Sequence, residues 1–305
     1  MSYNFRNWRL DVSQAFDTKP KSLDFVLPGL LSGTVGLLVA PGSVGKSFLA
    51  LEFCISIAAG RDVFGLFAGQ EFKKGPVCFL SLEDGGAVLH HRLYALREYL
   101  TEEDKLNIEQ NFDVFDASGR GFSLTMADGV LPSMVFQELE SYLDIRKPVL
   151  LVIDTLNRAL GGLNESCSAV ASKVLHQLEQ LNRKVGCATL ILHHANKSSV
   201  LNGNSTAQGI RGSSAWSDNA RWQANMAVMS EAELANYEVD QDNRKSWVKL
   251  DLVKCNHIAN TTDIWLTRDE NGVLTGQVPP RSTNSGRTKK RLKGGDDSDV
   301  GEIPW

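Results

Sequence analysis

The octet Ala40-Pro41-Gly42-Ser43-Val44-Gly45-Lys46-Ser47 constrains this chain more than any other feature, because it joins an apolar run of strand length, Val35–Ala40, to a segment of helical period. In that setting, consecutive backbone N–H groups and a helix N-terminus can surround a β-phosphate. Lys46 can then meet the β- and γ-oxygens and the Ser47 hydroxyl can meet Mg²⁺. The alternative is a glycine-rich turn that binds nothing, but a lysine at the positive end of a helix is electrostatically unfavourable without an anion. Such a loop usually begins with Gly, and Ala40 stands there instead. Pro41 and Gly42 can still form the tight turn, so nucleotide binding is expected to survive.

Further apolar runs at 77–82, 149–153 and 188–192 have helix-period segments between and around them, notably 47–59, which stops at Gly60, and 168–181. This alternation predicts an α/β fold with a parallel sheet covered on both faces. Beyond 221 the pattern changes to alternating stretches at 247–254 and 263–266, and Asn271-Gly272 is a hairpin signal, which predicts antiparallel strands at the far edge. Two segments lack periodicity: 196–214, read as a functional loop, and the residues after 279, read as a disordered tail. The expected organisation is therefore an N-terminal arm (1–22), one core domain (23–278) and a tail (279–305).

With 42% hydrophobic and 22% charged residues, the 305-residue chain cannot be disordered throughout. No signal-peptide pattern and no apolar run near the ~18 residues of a membrane span is present, so a soluble cytoplasmic protein with no membrane contact is expected. Five scattered cysteines suit reduced core thiols, and no metal is expected beyond the one that ATP brings. The net charge of −4 excludes a uniformly basic surface and leaves room for a local basic channel.

The second apolar run ends in Glu83-Asp84, where Glu83 could orient or deprotonate an attacking water, while Asp84 is read as the N-cap of a helix running to Tyr99. Asp154 closes the third run, the place of a carboxylate that serves Mg²⁺. The fourth run ends in His193-His194, a pair that could sense a γ-phosphate, although a His pair by itself is more often structural.

Taken in order, the loop, Leu82-Glu83-Asp84, His90-His91-Arg92-Leu93, Ile153-Asp154-Thr155-Leu156, Leu192-His193-His194-Ala195, Arg211-Gly212-Ser213-Ser214 and Asp218-Asn219-Ala220-Arg221-Trp222-Gln223 resemble a known series. The chain resembles the RepA-type hexameric replicative DNA helicases of broad-host-range plasmids, from about Leu23 to about Leu274. The resemblance implies a RecA-like P-loop ATPase core, a ring of six subunits with ATP between neighbours, single-stranded DNA in the channel and 5′ to 3′ unwinding. It also implies roles: Lys46 and Ser47 on the nucleotide and metal, Glu83 as catalytic carboxylate, Asp154 as metal-site acid, His194 as γ-phosphate sensor, and Arg221 as an arginine finger for the next subunit's site. Without the motif, Arg221 would read as a solvated face residue. Arg92 could serve the nucleotide or lie on an exposed helix face. Lys254 could reach a neighbour's γ-phosphate or simply guard an edge strand.

The loop 196–214 directly follows the His pair, and its Lys197 and Arg211 could hold DNA phosphates without reading sequence. A ligand-free surface loop is the alternative. In the tail, a basic cluster precedes Asp296, Asp297, Asp299 and Glu302, and then Ile303-Pro304-Trp305. This ending is similar to the acidic tip of bacterial single-stranded DNA-binding proteins, which suggests docking to host replication or repair proteins, against an accidental solvated tail. Two rival functions stay open: a RecA- or RadA-like recombination ATPase, and a regulatory or packaging ATPase without helicase activity. A GTPase is disfavoured because Ser199 stands where a guanine-reading motif would need Asp.

Overall fold

The apolar runs become neighbouring strands at the centre of one sheet. The computed structural model describes residues 5–67, 72–126, 131–195, 214–256 and 263–282. An arm at the start carries α1 (Val12–Asp17), whose N-terminus Asp11 caps by accepting from the Gln14 N–H at 3.0 Å and which buries none of its residues. A ribbon of β1 (Phe25–Leu27) and β2 (Leu30–Leu31) leads into β3 (Val35–Ala40), and the glycine-rich loop then feeds α2 (Lys46–Ala59). Gly60 ends α2 in the left-handed region at φ 79°, as a C-terminal glycine should. The chain continues through β4 (Val77–Ser81), α3 (Gly86–Leu96), α4 (Glu102–Asn111), β5 (Phe112–Asp116), α5 (Met134–Arg146) and β6 (Leu150–Asp154). Then come α6 (Leu156–Ala159), α7 (Ser168–Val185) and β7 (Ala188–His194), and after residue 214 α8 (Ala215–Asn219), β8 (Trp222–Val228), α9 (Glu231–Leu234), β9 (Trp247–Cys255), β10 (Ile264–Arg268) and β11 (Leu274–Gly276).

The strands lie in the order β11-β10-β9-β8-β3-β7-β6-β4-β5. From β8 to β5 all pairings are parallel, and β8 to β11 form an antiparallel meander. This is the expected mostly parallel sheet with antiparallel edge strands. Its central strands are apolar on both faces because both faces are covered: Leu38, Ala40, Leu190 and Leu192 join the core under α2, while Val35, Leu37, Val39 and Ile191 join the core under α7. The Asn271-Gly272 hairpin also forms, with Arg268 opposite Leu274 and Gly272 at φ 92°.

Three features depart from the sequence reading. Asp84 is not the helix cap: Gly85 stands at that position with no side-chain cap bond, and Asp116 from the end of β5 accepts from the Gly86 N–H at 2.9 Å. Asp84 instead pairs with Arg92 at 2.6 Å. Second, β5 adds a strand that no apolar run marks, because Phe112-Asp113-Val114-Phe115-Asp116 is a half-buried edge strand. Third, the chain past 278 still pairs: Tyr237 bridges Arg281, and the Glu238 N–H donates to the Pro280 carbonyl at 2.7 Å. Residues 283–305, including Ile303, Pro304 and Trp305, and residues 196–213, including Lys197 and Arg211, lie outside the described residues. Among the described residues, no helix is long and apolar enough to cross a membrane.

Glu52 lies wholly buried in α2, where its Oε1 accepts from the Leu274 N–H at 2.7 Å and ties β11 to the helix. Burial raises its pKa well above 4.5, against the lowering effect of that hydrogen bond. A raised folded-state pKa means that the stability contribution is complete below the unfolded value and is lost as pH rises through the folded value. Glu52→Gln keeps the acceptor and removes the titration. It is therefore expected to melt about 2–4 °C above wild type at pH 8 and level with it at pH 4, in paired thermal scans.

Candidate active site

The loop before α2 projects from the C-terminal end of β3 into a cavity of about 370 Å³ lined by Ser43, Gly45, Lys46, Ser47, Phe48, Glu83, Asp84, Arg92, Asp154, Thr155, His194, Arg268 and Gly272. The parallel sheet explains this convergence. β3, β4, β6 and β7 run the same way, so the residues closing each apolar run arrive at one edge. Ser43 (φ 65°) and Gly45 (φ 108°) take the left-handed backbone that wraps the loop around the helix N-terminus. Ala40 causes no strain where glycine is usual: it is the last residue of an extended strand, opposite His194 in the register.

Lys46 is buried, and its Nζ donates to the carbonyls of Ala40 at 3.0 Å and Pro41 at 3.1 Å. Burial lowers its pKa, while Asp154 and Glu83 raise it. Nζ also lies 3.3 Å from His194 Nδ1. An ammonium can only donate, so Nδ1 accepts and the ring proton sits on Nε2. That nitrogen faces Glu83 Oε2 at 3.8 Å, and the same carboxylate oxygen accepts from the Thr155 hydroxyl at 3.3 Å. Lys46, His194 and Glu83 thus form a chain of contacts across the cavity floor.

Asp154 is almost wholly buried, which pushes its carboxyl up to about 6, while a hydrogen bond from Ser47 and the charge of Arg92 pull it down. Its Oδ2 has no hydrogen-bond partner among the described residues. A buried carboxylate oxygen left over beside a serine hydroxyl fits Mg²⁺, which takes one or two protein oxygens and completes its shell from phosphates and water. Among the described residues, no group of three or more His, Cys, Asp and Glu could hold a metal unaided.

Arg92 belongs to the cavity and not to an outer helix face: it pairs with Asp84 and lies over the Phe48 ring, 5.7 Å from its centroid. The two histidines separate. His193 is buried, 3.1 Å from Glu165 and edge-on to Trp216, while His194 faces the cavity. Beyond Glu83, Thr155 and His194, a second cavity of about 310 Å³ is completed by Asn157, Arg158 and Glu165. Thr155 and Arg268 were missed in the sequence reading. Thr155 could have been found from its place after Asp154, whereas nothing in the sequence connects Arg268 with a loop more than 220 residues away.

Arg221 is brought to the other end of the sheet. It is exposed, and its N–H donates to the Val35 carbonyl at the start of β3, 3.2 Å away. The five residue steps from Val35 to Ala40 put about 16 Å between it and the loop, more than its side chain spans. Lys254 lies beside it, opposite Gln223 in the register, with Nζ donating to the Ser217 and Asp218 carbonyls at 2.8 Å each. Burial lowers its pKa, Asp218 raises it and the nearby Arg221 lowers it further.

A family model described as an AAA domain matches residues 3–200. Among solved structures, one described as an ATPase domain is similar, with a TM-score of 0.58 and 15% sequence identity over 91% of this chain and 100% of that chain. At that identity the likeness is one of fold.

Proposed function

Since this chain belongs to the AAA domain family, we propose that it is an ATP-hydrolysing DNA helicase of the RepA type, acting as a ring of six subunits that moves 5′ to 3′ along single-stranded DNA. The observation that carries this reading is the split of the machinery. Lys46, Ser47, Glu83, Asp154 and His194 share one cavity, while Arg221 and Lys254 stand at the opposite sheet end, out of reach of it. Cations so placed have a use in hydrolysis only when a second copy presents its own cavity to them. The fold likeness to a solved ATPase domain is compatible with this assignment.

In this reading the loop N–H groups and Lys46 bind the β- and γ-phosphates, and Glu83 takes the proton of the attacking water. Thr155 and the His194 Nε2–H orient that carboxylate. Ser47 and Asp154 would hold Mg²⁺, which would supply neutralisation of phosphate charge. Arg221 of one subunit stabilises the charge spreading over the γ-phosphoryl group in the next, with Lys254 beside it. His194 is followed within two residues by the segment bearing Lys197 and Arg211, so loss of the γ-phosphate is transmitted to DNA over a short path. The tip Ile303-Pro304-Trp305 serves as a docking segment for host replication or repair proteins, on the strength of its acidic-then-apolar ending.

The test is strand separation. Wild-type protein with ATP and Mg²⁺ is expected to open forked DNA bearing a 5′ tail and to leave a 3′-tailed substrate closed, with the active species sedimenting as a hexamer. ATP-dependent strand exchange without unwinding would instead establish a filament-forming recombination ATPase. ATP turnover indifferent to DNA would establish a regulatory or packaging role.

A further inference from the structure

The antiparallel meander contributes a residue to the loop itself. Arg268 closes β10 at the same sheet edge as the cavity, and its guanidinium donates to the carbonyl of Val44 and, at 3.4 Å, to that of Ser43. It also passes close to Gly45, where a Cβ would lie 3.3 Å from Nη2. We propose that Arg268 is a positioning residue for the phosphate loop: by holding the Ser43 and Val44 carbonyls, it keeps those oxygens off the anion and leaves the loop N–H groups to face it. This rests on the nucleotide-binding reading above.

Three physical points support the assignment. Peptide carbonyls turned toward a polyphosphate would repel it, so their anchoring matters to affinity. Ser43 holds a positive φ of 65°, a backbone region that a non-glycine residue adopts only at a cost, so the loop needs outside contacts to persist. A guanidinium, with several fixed donors, can engage two successive carbonyls at once, which an ammonium does less well. The arginine is itself anchored by its hairpin: Glu52 accepts from the Leu274 N–H, and Tyr99 donates to Asp269 at 2.9 Å.

The experiment is calorimetric titration of ATP with Mg²⁺ into the full chain, alongside steady-state turnover, for wild type, Arg268→Gln, Arg268→Lys and Tyr99→Phe. Tyr99→Phe loosens the same hairpin without touching the loop. Arg268→Gln is expected to weaken ATP binding and raise KM about tenfold, with kcat within about twofold of wild type, and Arg268→Lys to recover part of the loss. Tyr99→Phe should bind ATP like wild type even where its melting temperature falls as far. Equal loss of affinity in Arg268→Gln and Tyr99→Phe would show that the hairpin acts only through stability and would overturn the proposal, as would wild-type affinity in Arg268→Gln. No ATP binding by wild type would instead overturn the nucleotide-binding reading on which it rests.

Discussion

Lys46→Ala is expected to lower ATP turnover by about a hundredfold or more and to abolish unwinding of forked DNA. The side chain is the buried cation of the cavity, close enough to Asp154 and Glu83 for both to raise its pKa, and it contacts His194. Removing it takes away the charge that would meet the β/γ-oxygens and leaves two carboxylates near the phosphates uncompensated, so both ground-state binding and the transition state suffer. It also deprives His194 Nδ1 of a donor, which loosens the orientation of the ring toward Glu83. Coupled ATPase assays and strand-separation gels on the same preparation measure the effect, with near-ultraviolet circular dichroism confirming the fold. Turnover within about twofold of wild type would remove the loop from the mechanism.

Arg221→Ala should cut turnover by roughly a thousandfold while leaving ATP affinity near that of wild type, because the side chain lies at the sheet end remote from its own subunit's cavity. The decisive measurement is a mixture. Lys46→Ala subunits keep Arg221, and Arg221→Ala subunits keep an intact loop. In the proposed ring, a mixture of the two would therefore contain interfaces where a complete loop faces a complete arginine. Two preparations inactive alone are expected to regain turnover on mixing, in a proportion that follows the fraction of such interfaces. A mixture as inactive as its components, or undiminished turnover by Arg221→Ala alone, would refute a site shared between subunits.

The fold class and the loop were legible in the sequence because both depend on local patterns. Buried parallel strands must be apolar on both faces, so 35–40, 77–82, 149–153 and 188–192 showed themselves as continuous runs. The polar residues that end them, Glu83, Asp154 and the pair His193-His194, could be singled out because parallel strands deliver their C-terminal ends to one edge, and the choice of His194 within the pair came from the resemblance to the RepA-type helicases. β5 escaped because a half-buried edge strand carries its acids openly. Asp84 looks like a cap because it is an acid before a helix, and only the folded chain shows Asp116 in that role and Arg92 as the partner of Asp84.

What the sequence by itself determined is the nucleotide chemistry: a strand, a glycine-rich turn, Lys46-Ser47 and a helix are contiguous, and their geometry follows from backbone preference over a dozen residues. Tertiary structure alone decided that Thr155 holds Glu83, that Arg268 grips the loop from more than 220 residues away, and that Arg221 and Lys254 stand at the far end of the sheet. Those facts depend on strand order and register, which arise from long-range pairing and leave no local trace in the order of residues.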